Sequence, residues 1–193
     1  MIVFMNFADL VAKNRSYRRF DQQWEISPET LRELVGLARL TPSGRNMQSL
    51  RFFLSREPLL NEMIFSCLGW AGYLKDWPGP EPGERPSAYI VLVHDTSFPG
   101  GYFCDDGIVL QTLLLGAVER GLGGCILGSV KKDALRAILS LSERYEILYV
   151  LALGKPVEEV RIEPMEGGDI RYWRDGQGVH HVPKRDVDEL IIS

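Results

Sequence analysis

The alternation of apolar and polar positions divides the chain into helical stretches and short strand-like runs. Ser27 to Leu40 opens with a serine cap and a proline in the first helical position, then places Leu31, Leu34, Val35 and Ala38 on one helix face. This pattern predicts a helix ending at Thr41 and Pro42, because proline disfavours helical geometry in the residue before it. A polar loop, SGRNMQS at 43–49, leads into RFFLS at 51–55, which has the composition and length of a strand. A helical stretch is predicted from Leu59 to about Leu74, and WPGPEPGERP at 77–86 rules out regular structure. AYIVLVHD at 88–95 reads as a strand buried on both faces.

From about Asp105 to Arg120, apolar residues spread around most of the helical circumference, the mark of a buried helix, covered either within the monomer or by another subunit. GLGGC at 121–125 stops it, with Gly121 or Gly123 expected to take positive φ as a helix C-cap. A short strand at 125–129, a helix at 131–141 and an apolar strand at 145–154 follow; the tail from Pro156 is polar, with no helical period until Asp186. The count, about five helices and three or four strands not strictly alternating, implies an α+β fold with a small sheet covered by helices.

Composition narrows the class more than it changes this picture. With 193 residues, 45% hydrophobic and 25% charged, the chain matches an ordinary globular protein, and 1–193 is read as one domain. The 77–86 segment is a domain linker or a surface loop, and the loop is favoured because a linker there would leave an N-terminal piece of a few helices and one strand with little core of its own. Cys67, Cys104 and Cys125 are widely spaced and odd in number, which argues against a disulfide framework or zinc site and for a reducing, cytoplasmic compartment. The apolar start MIVFMNF has no basic residue ahead of it and is unlike a secretory signal, and no run reaches the ~18 apolar residues of a membrane span. A net charge of −4 gives no general attraction to nucleic acid or anionic membrane, so anion binding must come from local clusters.

Most familiar motifs fail on inspection. GLGGCILG at 121–128 follows a helix and precedes a strand, the reverse of a dinucleotide-binding fingerprint. His180 and His181 are adjacent, so in an extended segment they face opposite sides and cannot share a metal. There is no P-loop and no GxSxG. The segment 14–20, NRSYRRF, is different: Asn14, Arg15, Ser16, Arg18 and Arg19 bring guanidinium forks, a hydroxyl and an amide together just after a short predicted helix, the inventory for gripping a phosphate. Lys184 and Arg185 form a second basic pair.

NRSYRRF at 14–20 and TPSGRNMQSLRFF at 41–53 resemble the paired N-terminal signature of the nitroreductase family, RRSxRxF followed by APSGxNxQPWxF. DDGIVLQTLLLGAVERGLGGCILGS at 105–129, VLALGKP at 150–156 and VPKRDVDELI at 182–191 resemble later pieces of the family in the right order. The resemblance implies a nitroreductase-like fold with a mostly antiparallel sheet and the long buried helix at a dimer interface. It implies a homodimer binding FMN between subunits, taking electrons from NADH or NADPH and passing them to a small acceptor such as a nitroaromatic, a quinone or a flavin. By the same resemblance, Arg15, Ser16 and Arg18 hold the FMN phosphate and ribityl chain, and Lys184 and Arg185 close on the phosphate. Pro42, Ser43, Gly44 and Asn46 meet the flavin from the partner subunit, and Leu127 and Gly128 lie along its ring. Arg18 or Arg45 would face its pyrimidine end.

Two positions depart from the pattern: Asn14 replaces an arginine, and Gln48, Ser49 and Leu50 stand where QPW is usual. Trp70, Tyr73 and Trp77, just before the proline-rich loop, are either core residues or part of a lid over a substrate pocket. A flavin-binding carrier or redox sensor without turnover, and a helical interaction module using the 108–118 surface, are the alternatives.

Overall fold

The computed structural model describes residues 5–192; Met1 to Phe4 of the apolar start and Ser193 lie outside the described residues. Two long apolar strands form the centre, β3 (Ala88–Asp95) and β5 (Tyr145–Pro156), paired antiparallel. β2 (Leu50–Ser55) pairs with β3, while β4 (Gly123–Leu127) and the two-residue β1 (Phe20–Asp21) both pair with β5, all antiparallel. Every residue of β3 is buried, as its unbroken apolar run requires of a strand covered on both faces. Alternation divides it: Ile90 and Leu92 join one core, Tyr89, Val91 and Val93 the other.

The first core is closed by α2 (Pro28–Ala38) and α4 (Asp105–Glu119), the second by α3 (Pro58–Phe65) and α5 (Lys132–Leu139). A short α1 (Phe7–Lys13) with no buried residue lies along α4. The arrangement is the expected α+β sheet flanked by helices. Most of α4 is covered within the chain, with Val109, Leu110, Leu113, Leu114, Ala117 and Val118 all buried. Gly116 eases this: a Cβ there would stand 2.6 Å from Leu37 Cδ1 and 3.0 Å from Leu34 Cδ2, so a side chain would push the two leucine methyls of α2 aside.

Gly121 ends α4 with φ +73, where Leu122 N–H donates to the Ala117 carbonyl at 2.9 Å and Gly121 N–H to that of Val118 at 3.0 Å, a Schellman cap. Gly123 is not the cap residue; it already belongs to β4.

Three expectations are corrected. The helix predicted from Leu59 to Leu74 ends at Phe65, because the chain turns so that Gly69 N–H can donate to the Ser129 carbonyl, placing Leu68 opposite Val130. Among the described residues no helix follows Asp186; residues 187–190 form only a turn. The polar tail contains a second sheet, in which β6 (Val160–Pro164) runs parallel to β8 (His180–Lys184) and β7 (Trp173–Arg174) is antiparallel to it. Its strands bury few side chains, so they carry little of the apolar alternation by which strands are recognised.

Candidate functional site

After α1 the basic segment runs along the open edge of β4. Tyr17 N–H donates to the Gly124 carbonyl at 3.0 Å, and Ser16 bridges to Gly124. The glycine pair makes the approach possible. A Cβ on Gly123 would stand 2.5 Å from the Tyr17 ring, and one on Gly124 2.5 Å from the Ala152 carbonyl oxygen. Asn14, the departure from the family arginine, is buried and donates from its side chain to Gln111 Oε1 of α4 at 3.2 Å. It fastens the segment to the fold and offers no charge to a ligand.

A carboxylate from the tail sets the backbone here. Glu158, 8% exposed, accepts from the backbone N–H groups of Arg18 and Arg19 and pairs with Arg174 at 2.8 Å. Arg19 is committed to Glu84 of the proline-rich loop by two bonds of 2.6 and 2.5 Å, a contact that raises the pKa of the arginine and lowers that of the glutamate.

Arg18 is held differently. Its Nη1 donates to the Ser16 carbonyl at 3.2 Å and approaches His180 Nε2 at 3.3 Å, and the guanidinium lies 5.0 Å over the Tyr172 ring. His180 is fully buried; desolvation first, then the field of Arg18, pushes its pKa down to about 4, so the ring is neutral at physiological pH. An arginine can only donate, so Nε2 accepts and the ring proton sits on Nδ1.

Among the described residues, Arg18 Nε is buried without an acceptor and Nη2 makes no hydrogen bond to oxygen or nitrogen, while the buried Cys125 thiol lies close enough for the guanidinium to act on its pKa. That edge of a guanidinium is the one that grips an oxyanion through two parallel bonds. Arg15 donates through Nη2 to the Val11 carbonyl at 3.0 Å and likewise leaves Nε without an acceptor. A buried donor without a partner costs about 1–3 kcal/mol. The segment therefore fits an anionic ligand whose oxygens the chain itself does not supply.

The second cluster surrounds the 41–46 turn. Asp105, the buried first residue of α4, accepts from Ser43 Oγ at 2.6 Å and Gly44 N–H at 2.8 Å, while Ser43 Oγ accepts from Gln48 N–H at 2.9 Å. A carboxylate is favoured at that helix end. A side chain at Gly44 would collide with the Phe103 ring, and Arg45 and Asn46 both take positive φ, 53° and 56°. Pro42, Arg45 and Asn46 are exposed. Beside the turn a cavity of about 230 Å³ is walled by Ala38, Pro42, Ser43, Leu50, Phe52 and Val109.

Leu127 is buried in β4, and Gly128 is exposed beside the Tyr149 ring. Lys184 ends β8, and Arg185 pairs with Glu189 at 3.0 Å; among the described residues neither is bonded to Arg15, Ser16 or Arg18. At ~3.3 Å per residue, Lys184 stands about 13 Å along the strand from His180, which does touch Arg18. The two clusters also lie apart within one chain: the turn meets α4 at Asp105, and Asn14 meets it at Gln111, about 9 Å further along the axis at 1.5 Å per residue.

Of the loop aromatics, Trp70 is buried, 5.7 Å from the Phe65 ring. Tyr73 stands edge-on to Tyr172 at 4.9 Å, and Trp77 lies 4.6 Å under the Arg174 guanidinium, so both face the tail sheet. Sequence reasoning missed Asp105, Glu158 and His180. The acidic pair at 105–106 opening a helix was a usable signal for the first; the other two depend on a tail fold that carries no pattern.

Among the described residues, no group of three or more His, Cys, Asp or Glu gathers as a metal site, and no helix is long and apolar enough to cross a membrane.

Residues 11–68 and 91–155, well over half the chain, match the sequence model of the Nitroreductase family. The Bacillus subtilis protein YodC is 24% identical, matched over 79% of this chain and 91% of its own. The NADPH-flavin oxidoreductase of Vibrio harveyi is 22% identical, matched over 82% and 69%. The crystal structure of a nitroreductase family protein from Streptococcus pneumoniae superimposes with a TM-score of 0.71 at 18% identity, covering 97% of this chain and all of that one. The two signature segments, the glycine-rich exit from α4 and the antiparallel sheet thus agree with the sequence match, and the chain belongs to the nitroreductase family.

Proposed function

We propose that this protein is an FMN-dependent oxidoreductase, one FMN-binding domain over 1–193 working as a cytoplasmic homodimer, that moves electrons from NADH or NADPH to a small acceptor. A nitroaromatic, a quinone or a free flavin is the acceptor class, reached in a ping-pong sequence in which the nicotinamide product leaves before the acceptor enters. The observation that carries this reading is the unpartnered Nε–Nη2 edge of Arg18 beside Arg15 and Ser16, in a segment inside the family match.

When bound, FMN supplies the hydride and electron chemistry, and the protein supplies binding, orientation and exclusion of water. Arg15, Ser16 and Arg18 hold the phosphate and ribityl chain. Charge-assisted bonds of this kind contribute about 1.5–3 kcal/mol each. Pro42, Ser43, Gly44 and Asn46, braced by Asp105, contact the flavin of the partner subunit, and Leu127 and Gly128 lie along its ring. Lys184 and Arg185, about 13 Å along β8 from the His180 contact with Arg18, add positive charge toward the phosphate at longer range. Of the two candidates for the pyrimidine end, Arg18 and Arg45, the first is taken up by the phosphate, which leaves Arg45 to stabilise the reduced flavin.

A dimer is supported by apolar side chains left open on and near α1 and α4: Phe7, Val11, Leu40 and Phe103 are exposed, and Ile108 and Leu115 of α4 are half-buried.

The buried Asn14 favours a second reading, a flavin carrier without turnover. Both are tested on the purified protein. A yellow dimer by sedimentation that NADH or NADPH bleaches without oxygen supports the enzyme; bound flavin that neither bleaches supports the carrier. A colourless monomer that takes up no FMN refutes both.

A further inference from the structure

Residues 156–193 lie beyond the family match, yet their small sheet reaches back to the basic segment at two points. Glu158 holds the backbone of Arg18, and His180 and Tyr172 hold its guanidinium. We propose that His180 is a positioning residue for the phosphate of the flavin nucleotide: its Nε2 anchors Arg18 Nη1 and thereby aims the opposite Nε–Nη2 edge at the ligand. This rests on the reading of Arg18 as a phosphate ligand.

The geometry is selective. An arginine side chain has four rotatable bonds, and holding it in one orientation has an entropic cost of up to about 1.5–2 kcal/mol that a ligand must otherwise meet on binding. Here Nη1 is occupied twice, by the Ser16 carbonyl at 3.2 Å and by His180 at 3.3 Å, while Tyr172 supports the flat face at 5.0 Å and stands 5.1 Å from the His180 ring. On the far edge Nε is buried without an acceptor among the described residues, and its polar neighbour there is the weakly accepting Cys125 thiol. The imidazole itself is fully buried, and its Nδ1 has no acceptor. A leucine there would avoid that unsatisfied N–H, so the ring is retained at a cost in stability, and the Arg18 contact is its only hydrogen bond among the described residues. Alternation along β8 makes the arrangement possible: His180 turns inward to Arg18 while His181 turns outward between Glu163 and Asp175.

The test compares FMN with riboflavin, which has the same ring and ribityl chain but no phosphate. Wild type must first bind FMN more tightly than riboflavin; equal affinities would remove the phosphate reading itself, before His180 is at issue. Given that preference, His180→Leu is expected to lower it roughly three- to tenfold, the equivalent of about 0.7–1.4 kcal/mol, with riboflavin affinity little changed. His180→Gln, whose Oε1 can take the place of Nε2, is expected to keep most of the preference. His180→Asn, which is too short to reach Arg18, serves if the leucine variant does not fold and is expected to behave like it. An unchanged preference in the leucine or asparagine variant overturns the proposal. So does an equal loss for FMN and riboflavin, which marks a structural role, or a glutamine variant as poor as leucine.

Discussion

Removing Glu158 should damage this protein more than removing any arginine of the basic segment. Its carboxylate satisfies the backbone N–H groups of Arg18 and Arg19 and neutralises Arg174, whose side chain is 16% exposed. Glu158→Ala leaves two amides without an acceptor and a nearly buried guanidinium without a counter-charge. Breaking a buried pair on one side costs about 3–5 kcal/mol. For a chain of this size each kcal/mol lowers the melting temperature by about 2–4 °C, so a fall of roughly 6–20 °C is expected in a thermal scan. Glu158→Gln keeps an acceptor for the amides but loses the charge, and since charge-assisted bonds are about twice as strong as neutral ones, about half that loss is expected. Adding Arg174→Ala to Glu158→Ala should recover about 0.5–3 kcal/mol, because the stranded guanidinium is then gone. A Glu158→Ala protein within about 1 kcal/mol of wild type in denaturant titration, with an unchanged slope, would refute the account of how the tail holds the basic segment.

Asp105→Ala should free the 41–46 turn, since Ser43 and Gly44 lose their shared acceptor; flavin affinity is expected to fall about tenfold or more, from charge-assisted bonds of ~1.5–3 kcal/mol each, and unchanged affinity would show that the turn is ordered without it. Gly124→Ala forces a Cβ to within 2.5 Å of the Ala152 carbonyl oxygen, and a loss of about 1–3 kcal/mol with weaker anion binding should follow, checked by melting and by titration. The adjacent histidines should respond oppositely to pH. His181 is bonded to Glu163 at 2.7 Å and Asp175 at 3.2 Å, which raises its pKa above 6.5; its contribution is therefore complete below that value and lost as pH rises through the raised one. Proteolysis within the tail should accelerate as pH rises above 6.5, and less so in His181→Asn. His180 is pushed down to about 4, so its contribution is complete above 6.5 and is lost as pH falls from there to 4. The melting temperature of wild type should fall relative to that of His180→Gln over that acid window; parallel curves would contradict the burial of a neutral ring.

The proline-rich loop also changes meaning in the folded chain. Glu84 ties it to Arg19, the Phe20 N–H donates to the Glu84 carbonyl at 2.9 Å, and Gln22 Oε1 accepts from Gly83 N–H at 2.7 Å. Deleting residues 79–85 would loosen the basic segment together with the loop, so Tyr73→Ala or Trp77→Ala is the cleaner probe of a lid.

Where a segment's structure depends on its own apolar period, the sequence was sufficient. The capped α2, the all-round apolar α4, the continuous apolar run of β3 and the glycine stop at Gly121 all follow from residues within a few positions of one another. The two signature segments were legible for the same reason, because their residue types lie side by side. What the tertiary structure alone decided is long-range pairing. α3 stops at Phe65 because Ser129 offers a backbone partner 60 residues on, and the tail sheet forms against loops with only a handful of inward side chains. Arg19 and Arg18 looked equivalent in NRSYRRF, but Glu84 claims the first, while His180, 162 residues away, anchors the second by one nitrogen and leaves its Nε without an acceptor among the described residues. A charge cluster states how many cations are present; which of them remains free for a ligand depends on where the buried carboxylates and imidazoles of distant segments come to rest.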